Sequence, residues 1–225
     1  MFLLDDSNVY RSQRLERFPW VQHGFGTRLS VEWPPAAGLA IAKQIHSDQV
    51  LVANQPGQLG SGDALISNRP GVTVAIRTAD CLPIVIVDPR TRSVAAVHAG
   101  WRGVVAEIAV KAVEAMKLEF GSRPEDLEIA IGPGIGPCCF EVGPEVAIQF
   151  QDFFPERKDL GGRAKVDLAE TVLRQLGRNG ITRGQIDTLA LCSCCTPRAL
   201  ESYRRDRDKA GRMVAAVGIQ ERGHT

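Results

Sequence analysis

Two histidines and a cysteine stand where a folded chain could bring them together. His46 sits in Lys43-Gln-Ile-His-Ser-Asp-Gln-Val50, at a strand-like stretch. Cys81 follows an apolar run in Thr78-Ala-Asp-Cys-Leu-Pro83, and His98 ends another, just before Ala99-Gly-Trp-Arg-Gly103. Two imidazoles and a thiolate form a donor set that zinc accepts readily. Three protein ligands leave the fourth tetrahedral position to water or substrate, the pattern of a catalytic metal. The residues alone keep other readings open. A histidine after a strand is commonly a hydrogen-bonded core or rim residue, a single cysteine is commonly a small hydrophobe, and no short-range ligand signature is present. Cys81 with His98 as its base would equally make a nucleophilic thiol, as in an amide hydrolase or deamidase. Of the other two histidines, His23 lies near the start, and His224 is penultimate and expected to be disordered.

Such side chains need a scaffold that delivers them from distant parts of the sequence. Residues 72–76, 82–87 and 94–97 are β-branched apolar runs bounded by turn residues. They read as buried neighbouring strands, the last two joined by a tight turn. Residues 103–120 carry apolar side chains at helical spacing on one face, with Glu107 and Lys111 four apart on the other. Further strands are expected at 50–52, 127–131, 186–191 and 213–219. Helices are expected at 144–152, 197–207 and 167–178, the last capped by Asp167. Residues 32–38 hold two prolines and read as a loop. Helices and strands interspersed without regular crossovers predict one α/β (α+β) domain over residues 1–225, a mixed sheet with packed helices.

The chain has 27 basic and 26 acidic residues, so no basic field points to nucleic acid or a membrane surface. The start, Met-Phe-Leu-Leu-Asp-Asp, is too short in apolar residues for a secretory leader, and no run is long enough to span a bilayer. A cytoplasmic setting and six reduced cysteines are expected. Cys192-Ser-Cys-Cys195 is formally a Cys-x-x-Cys, but the roughly 30 residues after it are too few for a thioredoxin-like domain. A four-thiolate zinc site from Cys138, Cys139, Cys192 and Cys195 lacks paired spacing at both ends. The commoner reading is small buried thiols packing loops beneath the site. Gly132-Pro-Gly-Ile-Gly-Pro137 has neither the third glycine of a dinucleotide loop nor the Lys-Ser/Thr of a P-loop, and reads as a tight turn near a pocket.

The strings Gln44-Ile-His46, Thr78-Ala-Asp-Cys-Leu-Pro83, His98-Ala-Gly-Trp-Arg-Gly103, Gly132-Pro-Gly-Ile-Gly-Pro-Cys-Cys-Phe-Glu-Val-Gly143, Cys195-Thr196 and Ser202-Tyr-Arg-Arg-Asp206 occur in that order. With His23-Gly-Phe-Gly-Thr-Arg28, this set resembles the YfiH-type, laccase-domain family over nearly the whole chain. The resemblance implies a YfiH-like, cysteine-hydrolase-like fold, one said to be shared with a cysteine-dependent toxin deamidase. It also implies zinc on His46, Cys81 and His98. The implied activity is phosphorolysis of purine nucleosides (adenosine, inosine, methylthioadenosine), with adenosine deamination beside it. Members have also been called polyphenol oxidases, so copper is an alternative metal. The partners implied are a purine nucleoside and phosphate. One region departs from the pattern: only residues 29–42 intervene between Arg28 and the His46 motif, where the family carries a longer stretch with glycine, serine and an Asn-Arg.

Phosphorolysis needs a phosphate held near C1′ and a stabilised leaving purine. Arginine suits the first task through its planar fork of donors. Arg28 and Arg102 are the candidates for it, with Arg204 and Arg205 beside them. Deamination suits an open zinc site whose bound water ionises near neutral pH, with an acid nearby to move protons. Asp80, beside Cys81, and Asp48, beside His46, could serve, although Asp80 could equally cap a turn. The His-x-Glu…Pro-Cys-x-x-Cys signature of other zinc deaminases is absent. Trp101 is a candidate to stack on a purine or to anchor the core. Four histidines are too few for a coupled multicopper cluster. A non-enzymatic redox or metal-buffering role for the thiols is the remaining alternative.

Overall fold

The computed structural model describes residues 1–220; His224 falls outside them. Every residue of Leu82–Asp88 and Ser93–Ala99 is buried, which explains why these runs lack the polar alternation of a half-exposed strand. Along the chain the strands are β1 (Phe2–Leu4), β2 (Val9–Ser12), β3 (Val21–Gly26), β4 (Leu39–Lys43) and β5 (Val50–Val52). Next come β6 (Gly57–Ser61), β7 (Ala64–Ser67), β8 (Thr73–Thr78), β9 (Leu82–Asp88) and β10 (Ser93–Ala99). Two helices follow, α1 (Trp101–Val105) and α2 (Ile108–Phe120), then β11 (Glu128–Ile131), β12 (Glu141–Val142) and α3 (Pro144–Ala147). The chain closes with β13 (Ala164–Lys165), α4 (Leu168–Arg178), β14 (Ile186–Thr188), α5 (Tyr203–Asp206) and β15 (Met213–Ile219).

The strands form two mixed sheets and a small β12–β13 ribbon. One sheet has seven strands in the order β1-β2-β3-β15-β8-β4-β6, the other six in the order β14-β11-β9-β10-β7-β5. Side chains alternate across β9 and β10 and so build two cores. Ile84, Ile86, Ala95 and Val97 pack with Ile108, Met116, Val172 and Leu176 of α2 and α4. Val85, Val87, Val94 and Ala96 pack with Val74, Ile76, Ala215 and Val217 of the other sheet. Burying each such Val or Ile contributes roughly 1.5–3 kcal/mol. The result is a single α+β domain in which helices, six-stranded sheet and seven-stranded sheet lie in three layers.

The class agrees with the sequence reading, and several details differ from it. The strands divide over two sheets rather than one, and β8 lies in the sheet opposite β9 and β10. The helix over 103–120 is interrupted at Glu107, which adopts φ 59° and starts α2 anew. Lys111 therefore pairs with Asp48 rather than with Glu107. The helix foreseen at 197–207 is only the single turn of α5, with Ser202 as its cap. Asp167 caps α4 as expected, accepting from the Glu170 N–H at 2.9 Å. No helix among the described residues is long and apolar enough to cross a membrane.

Candidate active site and metal centre

Three short segments carry the chain from the seven-stranded sheet to the six-stranded one, and the site is made where they pass. His46 lies between β4 and β5, Cys81 between β8 and β9, and Asp63 between β6 and β7. His98, near the end of β10, completes the group. The imidazole nitrogen and sulfur atoms of His46, Cys81 and His98 that could hold a metal lie within 4.8 Å of one another. The two rings meet edge to face with centroids 4.9 Å apart. His46 is exposed and His98 buried, so the trio opens on one side only.

Asp63, which the sequence reading did not single out, organises this trio. Its carboxylate is fully buried and takes five hydrogen bonds. Oδ1 accepts from the His46 N–H at 3.0 Å and meets His98 Nδ1 at 2.8 Å. Oδ2 accepts from the N–H groups of Ile45 and Ser47 at 3.2 and 2.7 Å, and from the Ser47 hydroxyl at 2.7 Å. One carboxylate thus ties down the turn that carries His46, a non-glycine residue at φ 57°, and orients His98. With Nδ1 engaged, His98 presents Nε2 to the cluster, the carboxylate–histidine arrangement that supports metal ligands. Gly62-Asp63 follows Gly60-Ser61 in a stretch that reads as a turn, so no periodicity marks it.

Charge in the trio follows from these contacts. Burial pushes the Asp63 carboxyl up, but the bonds from His98, Ser47 and Ile45 outweigh it and hold it well below the usual carboxylate range. Burial disfavours a charged His98, yet its bonds to Asp63 and Cys81 lift it to about 9. Burial also raises the Cys81 thiol, and His46 and His98 more than compensate, bringing it to about 7. The donor set therefore supplies a thiolate near neutral pH, and a bound cation would take the place of the shared proton. Two imidazoles and one thiolate fit a tetrahedral zinc ion with one open position. Gly100 keeps the trio close: a Cβ there would stand 3.0 Å from His46 Cδ2 and 3.1 Å from Cys81 Sγ. Gln44 exchanges two 2.8 Å bonds with the Arg77 backbone and so fixes the start of the His46 segment against β8.

The trio forms part of the lining of an open cleft of about 1210 Å³. Trp33, Phe140 and Tyr203 supply aromatic surface to it, and Lys43, Arg77, Arg204 and Arg212 supply positive charge. The Arg204 guanidinium is already committed to the carbonyls of Cys139 and Glu141, both at 3.0 Å. Arg212 donates to the carbonyls of Ala210 and Gly211. Among the described residues, the side chains of Lys43 and Arg77 have no carboxylate partner.

Several sequence candidates fall elsewhere. Arg28 donates to the Pro197 carbonyl at 2.7 Å and lies 3.4 Å from Glu201; it is not among the residues that line the cleft. Arg102 is exposed over the Trp101 ring, Trp101 is half-buried against the core below α2, and neither residue lines the cleft. Arg205 is bound to Asp206 and to loop carbonyls. Asp80 does line the cleft, but both its oxygens are taken, one by the Ser193 hydroxyl and one by the Arg204 N–H, each at 2.6 Å. Its bonding is that of a loop anchor rather than a free proton shuttle. Asp48 is paired with Lys111. His23 is buried in β3, where Nε2 accepts from the Ser12 N–H at 2.9 Å. Cys138, Cys139, Cys192 and Cys195 do not pack as buried thiols beneath the trio; they gather in a group of their own, with Cys138 and Cys195 exposed.

Comparison with known proteins adds names to this geometry. Residues 27–220 match the family model described as multi-copper polyphenol oxidoreductase laccase. A purine nucleoside phosphorylase of Deinococcus radiodurans is 39% identical over 192 residues, covering 83% of this chain and 72% of that protein. The adenosine deaminase RL5 of an unknown prokaryotic organism is 33% identical over 195 residues, 80% of this chain and 74% of that one. The crystal structure of YlmD from Geobacillus stearothermophilus superposes with a TM-score of 0.88 at 26% identity, covering 98% of this chain and 99% of that one.

Proposed function

The chain belongs to the YfiH-type, laccase-domain family, and on that footing we propose that it is a zinc-dependent purine nucleoside phosphorylase with adenosine deaminase activity. The observation that carries this reading is a group of three donors able to hold a metal, at the side of a large cleft lined by cationic side chains without carboxylate partners. His46, Cys81 and His98 would hold the zinc ion, which would supply Lewis acidity at the cleft.

The chain's own residues then divide the work. Lys43 and Arg77, lining the cleft without carboxylate partners, bind phosphate, the substrate that attacks C1′ as the C1′–base bond breaks. Tyr203, exposed at the cleft, offers a face to the purine. Asp63 holds His98 in the tautomer that keeps Nε2 available. Asp80 fixes the Cys81 turn to the loops that carry Ser193 and Arg204. Arg28 and Arg102 are left outside this assignment. Copper-dependent phenol oxidation by a coupled cluster would need more imidazoles than the two gathered here.

Zinc-loaded protein incubated with adenosine or inosine and phosphate is expected to yield adenine or hypoxanthine and ribose 1-phosphate. No base release by protein of verified zinc content would refute the assignment. One observation favours a second reading: Asp63, His98 and Cys81 form a chain of contacts like an acid–histidine–thiol triad. Alkylation of Cys81 in zinc-loaded protein, together with hydrolysis of an amide substrate, would favour that thiol hydrolase.

A further inference from the structure

Five of the six cysteines take no part in the site above, and four of them, all but Cys194, stand together. Cys138 and Cys139 lie in the loop after β11, and Cys192 and Cys195 in the loop after β14. Their four Sγ atoms all lie within 4.8 Å of one another. That of Cys195 is 3.3 Å from Cys139 and 3.6 Å from Cys138. A tetrahedral ion with metal–sulfur bonds of about 2.3 Å places its sulfurs about 3.8 Å apart. The thiols already stand near that spacing, and all are free.

The backbone sets this arrangement independently of the sulfurs. Gly134 and Cys192 form an isolated parallel β-bridge, and the Ser193 N–H donates to the Gly134 carbonyl at 2.8 Å. The Gly136 N–H donates to Cys192 Sγ at 3.3 Å, a bond that a metal-held thiolate strengthens. Arg205 donates to the carbonyls of Ser193 and Cys194 and so fixes the backbone of the loop that carries Cys192 and Cys195. Two loops distant in sequence are thus held with four soft donors facing one point.

We propose that Cys138, Cys139, Cys192 and Cys195 hold one tetrahedral divalent cation of the thiolate-preferring class, zinc, at a second site separate from His46, Cys81 and His98. On binding, four thiols release four protons and the ion gains four sulfur bonds, with no change of oxidation state. Four protein ligands leave no open position, so this metal is structural. It staples together the two loops that position the cleft wall. Ile135 from the first donates to the Asp80 carbonyl at 2.7 Å, and Ser193 from the second donates to the Asp80 carboxylate at 2.6 Å. The first also supplies the Cys139 carbonyl that takes Arg204. The turn bearing Cys81 is therefore held from both loops.

A Cys81→Ala/His98→Ala variant removes the first site and leaves the quartet. After loading with zinc and exhaustive dialysis it should retain one equivalent per chain, and adding Cys139→Ala and Cys195→Ser should abolish that equivalent. Loaded with cobalt, the double variant should show the intense visible bands of tetrahedral thiolate coordination. A double variant that retains no metal, or a quartet variant that retains all of it, overturns the proposal. So does a Cys139–Cys195 disulfide found by mass spectrometry in freshly isolated protein. If the quartet variants fail to fold, iodoacetamide labelling of native protein decides. Exposed Cys138 and Cys195 should resist alkylation until a chelator is added, and equal labelling with and without chelator rejects the site.

Discussion

Replacing Asp63 by Asn changes one buried atom and should loosen the metal centre from behind. The carboxylate faces donors on both oxygens, two on Oδ1 and three on Oδ2. An Asn must turn its NH2 toward one set. Facing Ile45 and Ser47, it orphans two backbone N–H groups. Facing His46 and His98, it orphans only the His46 N–H, because His98 can change tautomer and accept at Nδ1. The second arrangement is cheaper and moves the His98 proton to Nε2, the atom offered to the metal. One buried donor left without a partner costs about 1–3 kcal/mol. At roughly 2–4 °C per kcal/mol for a chain of this size, the apo protein should melt about 2–12 °C lower. Disturbing such a supporting carboxylate typically lowers metal affinity about 10–100-fold. Competition with a chromophoric zinc chelator measures this directly, beside the melting curve. An Asp63→Asn protein that melts lower but binds zinc at the first site within twofold of the parent would refute the tautomer argument.

Gly100→Ala should weaken zinc at the same site about tenfold with little loss of fold, because the backbone there (φ −69°) accepts alanine and only His46 and Cys81 must yield. Unchanged zinc affinity by competition titration would show that the trio has slack. Arg77→Ala should raise KM for phosphate roughly 10–150-fold, the value of one hydrogen bond to a charged group, while phosphate-independent adenosine deamination is spared. Equal loss of both activities would remove Arg77 as the phosphate ligand. Burial, with Arg11 nearby, holds His23 down to about 4 against 6.5, so the folded state resists its protonation. Its contribution is intact above pH 6.5 and lost as the pH falls toward 4, about 3 kcal/mol in all. His23→Gln should flatten urea-unfolding stability across that window; an unaltered slope would place the acid sensitivity elsewhere.

The central strands were legible because β9 and β10 are buried on both faces, and continuous apolar runs report that. Their assignment to one sheet with β8 was not, because an apolar strand does not announce which neighbour it bonds. The break at Glu107 left no trace, since Val104, Val105 and Ile108 keep helical spacing across it. His46, Cys81 and His98 stood out by residue type and by resemblance. Asp63 did not, because a buried acid in a glycine-rich turn looks like any turn acid. Arg77 carried a usable signal: it is a charged residue directly after Val-Ala-Ile within a strand, and it is the exposed position of that strand. Pairing of the cysteine loops depends on the bridge between Gly134 and Cys192, which spacing cannot reveal.

β15 lies between β3 and β8, so a strand made late in synthesis is inserted between two made much earlier. Its partners are separated from it by most of the chain, and closing such loops is the slow part of folding. Val214 lines the cleft, and Arg77 and Thr78, the residues leading into the Cys81 turn, pair with β15. The cleft is therefore completed only after the segments that carry the trio have been made. A nascent chain on the ribosome would have His46, Cys81 and His98 outside the tunnel well before it had the β15 wall of the cleft. Ligand capture would accordingly report completion of the fold, and a slow-folding variant should gain substrate binding only with β15 protection in pulse-labelled hydrogen exchange.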